Sequence, residues 1–95
     1  MDVIDNKAES RFEVRDGEEI ARSEYIRQGN TIIFTHTEVP PHFRGRGVAG
    51  ELTAFALNQA RAEGLRVIPK CPFVKSFIEK HPEFESLVSN DGKAR

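Results

Sequence analysis

The chain has 95 residues, 38% hydrophobic and 31% charged, with a formal net charge of −1. That supports one small core, near the lower limit for a domain folding without disulfides or metals. The balanced charge excludes a globally basic nucleic-acid or anionic-membrane binder. A single cysteine, Cys71, excludes a disulfide framework and any multi-cysteine metal site.

The opening MDVIDNKAES is too polar for a secretory leader, and no apolar run approaches bilayer length. A soluble, cytoplasmic domain is therefore expected, spanning 1–95 as one unit with flexible ends at 1–8 and 89–95. In SRFEVRDGEEI, Phe12 and Val14 alternate with charged residues up to Asp16-Gly17, which predicts a half-buried strand and a hairpin turn. EEIARSEYIRQ is the return strand, Gln28-Gly29-Asn30 a second turn, and TIIFTHTEV a β-branched third strand.

The period then changes. Val48, Leu52, Phe55, Ala56 and Ala60 fall at helical spacing between Gly47 and Glu63, with Gly64 as a stop. LRVIP is a short apolar strand ending at Pro69. Pro72 opens a second helix whose apolar face is Phe73, Val74, Phe77 and Ile78, and His81-Pro82 ends it. EFESLV is a short tail element.

The expected order is β-β-β-α-β-α, an α/β fold with a mixed sheet: an antiparallel meander, a right-handed βαβ unit and a C-terminal helix. In such sheets ligands gather at the carboxyl ends of the strands, where VPPHFRGRG and PKCPF both fall.

The segment RGRGVA stands where the first helix begins. A helix N-terminus presents N–H groups without intrahelical partners and a partial positive charge. Gly45 and Gly47 let the backbone approach a bulky anion, and Arg44 and Arg46 add charge-assisted contacts. The other reading is a glycine-rich turn with solvated arginines. The Gly-Lys-Ser/Thr ending of a P-loop is missing. GRGVAG fits the dinucleotide string, but no ribose-binding acid follows about twenty residues on.

RGRGVA resembles the R/Q-x-x-G-x-G/A signature of the GNAT superfamily of acetyltransferases, with Arg44, Gly47 and Ala49 at the fixed positions. HTEVPPHFRGRGVAGEL and ARAEGLRVIPKCPFVKSFIEKHPEF look like its small, single-domain YjdJ-type branch, over roughly residues 10 to 88. The resemblance implies a truncated GNAT fold and acetyl-coenzyme A as cosubstrate. It implies a pyrophosphate seat at Arg44, Gly45, Arg46, Gly47, Val48 and Ala49, and main-chain pairing of the pantetheine near Glu38 and Val39. The implied acceptor is an amine on a small molecule, peptide or protein. No metal is called for, and a monomer or weak homodimer is expected.

Two departures from larger members stand out. These 95 residues are expected to lack the first helices and last strands of those members, and so to leave the acceptor side open. The tyrosine that often serves as general acid in the last helix has no counterpart, since the only tyrosine is Tyr25 in an early strand.

His36, at the end of the third strand, is placed by alternation on the same face as Ile32 and Phe34. An ordinary imidazole pKa of about 6.5 suits proton abstraction at neutral pH. The resemblance makes it the general base. Cys71 precedes the second helix, where the local field favours thiolate. It is expected to act as general acid toward the leaving thiolate or as a transient nucleophile. His42 is expected to be an exposed loop residue, with contact to phosphate as the alternative, and His81 a helix end. Lys70, Lys75 and Lys80 are expected to form a solvated surface, with the 3′-phosphate of the coenzyme as an alternative contact for Lys75. The competing reading of the whole chain is a coenzyme A-binding or sensing module without turnover.

Overall fold

The computed structural model describes residues 2–89 and holds one sheet of five strands in the spatial order β1-β2-β3-β4-β5. The strands are β1 (Ile4–Asn6), β2 (Arg11–Asp16), β3 (Glu19–Gln28), β4 (Thr31–Glu38) and β5 (Arg66–Pro69). Helix α1 (Val48–Ala62) joins β4 to β5, and α2 (Pro72–Lys80) follows β5. Single 3-10 segments occupy Pro41–Phe43 and Pro82–Leu87, the latter being the expected tail element. The pairings β1–β2, β2–β3 and β3–β4 are antiparallel, and β4–β5 is parallel. The meander and βαβ unit are both present.

The N-terminal segment departs from its expected looseness. Ile4, Asp5 and Asn6 pair with Glu13, Phe12 and Arg11 and extend the sheet by one edge strand. Asp5 is fixed further by the Tyr25 hydroxyl, which donates to its carboxylate at 2.6 Å. At the other end, Ser89 N–H donates to Val67 O. The remainder of the tail lies outside the described residues.

One face of the sheet is apolar. Phe12, Val14, Ala21, Tyr25, Ile32, Phe34 and Val67 are buried there, and burying each large side chain is worth about 1.5–3 kcal/mol. Both helices cover this inner face. Phe55 of α1 meets Phe12 edge-on with ring centroids 6.1 Å apart. The Phe77 ring of α2 lies close to the first turn of α1, at Gly50. Phe55 and Phe73, placed by periodicity in the core, are instead exposed at its margins.

The outer face opens to solvent and mixes charged side chains with the isoleucines Ile4, Ile26 and Ile33. Its centre is Glu13, only 1% exposed, which accepts from Arg11 Nε at 2.8 Å, Arg15 Nε at 2.7 Å and Asn6 Nδ2 at 3.2 Å. Burial pushes this carboxyl up, but the hydrogen bonds from Arg11, Arg15 and Asn6 outweigh it and leave the pKa lowered.

Candidate functional site

Strands β3 and β4 do not pair evenly. Tyr25 pairs with Phe34, yet Glu24 pairs with His36, so Thr35 is an extra residue in β4. This is a β-bulge, and its extra residue reverses the alternation of side chains beyond it. The Thr35 hydroxyl donates to Glu24 O across the bulge. Before it, Ile32 and Phe34 face inward; after it, Thr37 faces inward.

His36 therefore does not share a face with Ile32 and Phe34, as plain alternation implied. It pairs with Glu24 on the outer face and is 53% exposed at its side chain. Its Nε2 lies 3.0 Å from Glu38 Oε1. With Nε2–H donating to that carboxylate, a neutral ring keeps its lone pair on Nδ1.

Cys71 lies on the inner side. It is the N-cap of α2, 3% exposed, with Sγ 3.3 Å from Thr37 Oγ1. Its N–H donates to Phe34 O, and its C=O accepts from Lys75 N–H. His36 and Cys71 thus approach β4 from opposite faces.

The parallel pairing of β4 with β5 runs from Thr31–Arg66 to Phe34–Pro69. Cys71 N–H adds a last bond to Phe34, and the chain then turns into α2. Strand β4 continues to Glu38 without a β5 partner, so its edge opens over the segment holding His36, Thr37 and Glu38.

The loop from β4 to α1 is pinned by Phe43, which is 1% exposed. Arg44 N–H donates to Pro41 O and Arg46 N–H to Phe43 O. Gly45 and Gly47 have φ of 75° and 69°, values that side chains with a Cβ rarely adopt. Gly47 is the N-cap of α1 and supplies no side-chain cap. The first intrahelical bond runs from Glu51 N–H to Gly47 O. The N–H groups of Val48, Ala49 and Gly50 thus precede the ladder and have no intrahelical acceptor.

The two arginines are not equivalent. Arg46 lies 3.7 Å from Asp16 Oδ2 and over the Phe43 ring at 5.6 Å. Arg44 has no ion-pair partner among the described residues. Asp16 is the last residue of β2, paired with Glu19 before the turn, and lies 2.8 Å from His42 Nε2. The hydrogen bond from His42, with the charges of His42 and Arg46, holds its carboxyl below the usual range. His81 caps α2, its Nδ1 2.8 Å from Phe77 O. Lys70, Lys75 and Lys80 are exposed.

Several features were not legible in the sequence. Thr37, the partner of Cys71, had no signal beyond its place in a strand. Asp16-Gly17 signals only a turn in the sequence, although Asp16 reaches the loop. The bulge was hidden among Thr35, His36 and Thr37, which all suit a strand.

A family model described as GCN5-related N-acetyl-transferase matches residues 11–87. Among curated proteins, the chain is 38% identical over 60 residues to Protein NATD1 of Bos taurus, covering 62% of this chain and 51% of that protein. It is 34% identical over 59 residues to Protein NATD1 of Xenopus tropicalis, covering 62% and 53%. With Protein NATD1 of Danio rerio it shares 32% identity over 64 residues, covering 67% and 57%. The chain spans about half the length of the curated relatives it matches. With a family match that runs from β2 to the last 3-10 segment, the chain belongs to the GCN5-related N-acetyltransferase family.

Proposed function

We propose that this domain transfers an acetyl group from acetyl-coenzyme A to an amine. The observation that carries the reading is a convergence: the open edge of β4 beyond Phe34 leads to an uncapped α1 N-terminus. An extended, amide-bearing chain suits a strand edge, and a pyrophosphate suits the N–H groups of a helix start.

In this reading the pyrophosphate rests on the backbone of Gly45, Gly47, Val48 and Ala49. Arg44 and Arg46 supply charge, and the main chain at Glu38 and Val39 pairs with pantetheine amides. The thioester reaches the widening between β4 and the Cys71 turn. The amine approaches from the outer face, where His36 Nδ1 takes its proton as the nitrogen attacks the acetyl carbon. The carbon–sulfur bond then breaks, and the Cys71 thiol gives its proton to the departing thiolate. Direct transfer is favoured over an acetyl-cysteine, because His36 faces away from Cys71 and cannot serve as its base.

A coenzyme-binding module without turnover is the second reading, favoured by the solvent-open outer face around His36. Acetyl transfer to a panel of amines and peptides separates the two. Turnover lost in His36→Ala, with coenzyme binding retained, supports the enzyme. Binding without turnover toward every acceptor class supports the module.

A further inference from the structure

Ser23 is fully buried, and among the described residues its hydroxyl has no hydrogen-bond partner. An unsatisfied hydroxyl in a core is a cost that calls for an explanation. Its place in the sheet suggests one. Ser23 pairs directly with Thr37 across β3 and β4, on the inner face. Thr37 Oγ1 lies 3.3 Å from Cys71 Sγ. Two hydroxyls and one thiol therefore stand in sequence across the sheet, with Phe12 beyond Ser23 closing the row on the β2 side.

We infer that Thr37 and Ser23 are positioning residues for the Cys71 thiol, Thr37 as its direct partner and Ser23 as a reserve donor behind Thr37. The inference rests on the proposed role of Cys71 as proton donor. While Cys71 is a thiol, the Thr37–Cys71 contact satisfies both groups and Ser23 is idle. When the Cys71 S–H bond breaks and its proton passes to the coenzyme thiolate, the new S–H bond lies on the coenzyme. Cys71 then carries the negative charge.

Thr37 now donates to that thiolate, and its oxygen becomes a stronger acceptor. Rotation of Ser23 about its χ1 brings the idle hydroxyl to bear on Thr37, since hydrogen-bonded groups in a dry interior polarise one another. The proton taken from the amine by His36 returns to Cys71 through solvent after the products leave, which closes the cycle.

His36 and Glu24 face outward, and Lys70 and Lys75 are exposed. Among the described residues, the half-buried Thr37 is the thiol's hydrogen-bonding side-chain partner. The unpartnered Ser23 beside it separates this arrangement from an inert buried cysteine, which needs no second hydroxyl.

The test is a pH titration of the full chain labelled at cysteine Cβ with carbon-13, which reports the one thiol irrespective of its accessibility. Thr37→Val keeps the shape of the strand residue and removes the donor. It is expected to raise the titration midpoint, weakening thiolate formation about tenfold. Thr37→Ser is expected to restore it, and Ser23→Ala to raise it by about threefold in the same measure. In acetyl transfer, Thr37→Val lowers kcat and leaves KM for acetyl-coenzyme A unchanged.

Unchanged midpoints in both Thr37→Val and Ser23→Ala overturn the inference. A shift in Thr37→Val with none in Ser23→Ala overturns the part given to Ser23. If the midpoints move but the unaltered chain transfers acetyl to no acceptor, the row stands and the proposed activity fails.

Discussion

His36 and Cys71 stand on opposite faces of β4 because Thr35 is an extra residue between the pairs Phe34–Tyr25 and His36–Glu24. A proton acceptor thus faces the open side of the sheet, while a thiol faces the packed side. A thioester lying in the strand edge between them would meet its amine from one face and its proton donor from the other. The first prediction follows from this separation. His36→Gln lowers kcat by about 100-fold or more, as expected for loss of a general base, with the dissociation constant for acetyl-coenzyme A unchanged. Steady-state kinetics with calorimetry on the same variant checks both halves.

Gly47 is held at φ 69° with open space around its α-carbon. The requirement for glycine is conformational and owes nothing to crowding. Gly47→Ala is expected to cost about 1–2 kcal/mol in stability. For a domain of this size that lowers Tm by roughly 4–16 °C, measurable by thermal unfolding. The same variant should bind coenzyme more weakly, because the strain is relieved by moving the N–H groups proposed to hold the phosphates.

Arg44 and Arg46 should respond differently to substitution. Asp16 already engages Arg46 at 3.7 Å, whereas Arg44 is unengaged among the described residues. Removing the Asp16 charge frees Arg46 and lifts a repulsion from any anion at the loop. Asp16→Asn is therefore expected to tighten coenzyme binding about two- to fivefold at low salt, an effect that fades as ionic strength rises. Arg44→Ala should weaken binding over the same salt series. Calorimetric titrations at two salt concentrations give both results.

The outer-face cluster around Glu13 contributes to acid stability. Its carboxyl pKa is lowered in the folded chain despite the opposing effect of burial. A group depressed on folding contributes stability above its unfolded pKa, about 4.3 for Glu, and loses it as pH falls through the folded value. Unfolding free energy should thus decline as pH drops below about 4.3. Glu13→Gln should cost about 1–3 kcal/mol at neutral pH, through loss of charged hydrogen bonds, and flatten that decline. Urea unfolding across a pH series shows the difference in slope.

The meander, the crossover helix and the position of Cys71 at a helix start were all readable, because Asp16-Gly17, the apolar spacing from Val48 to Ala60 and Pro72 act over short range. Strand β1 was not. Ile-Asp-Asn has low strand propensity, and its pairing with Arg11, Phe12 and Glu13 stabilises it. The face of His36 departs from plain alternation because a bulge breaks the period of two without a glycine or proline to mark it. Thr37 and Cys71 are 34 residues apart, and Asp16 and His42 are 26 apart. Those relationships exist only once the sheet is assembled, so no local pattern announces them.

The central claim is that the α1 N-terminus holds the coenzyme through Gly47 and the N–H groups that follow it. Calorimetric titration of acetyl-coenzyme A into the unaltered chain and into Gly47→Asp tests it most directly. The account predicts one site per chain in the former and loss of binding in the latter, where a carboxylate occupies the phosphate seat. Equal binding by both chains, or none by the unaltered chain, would contradict it.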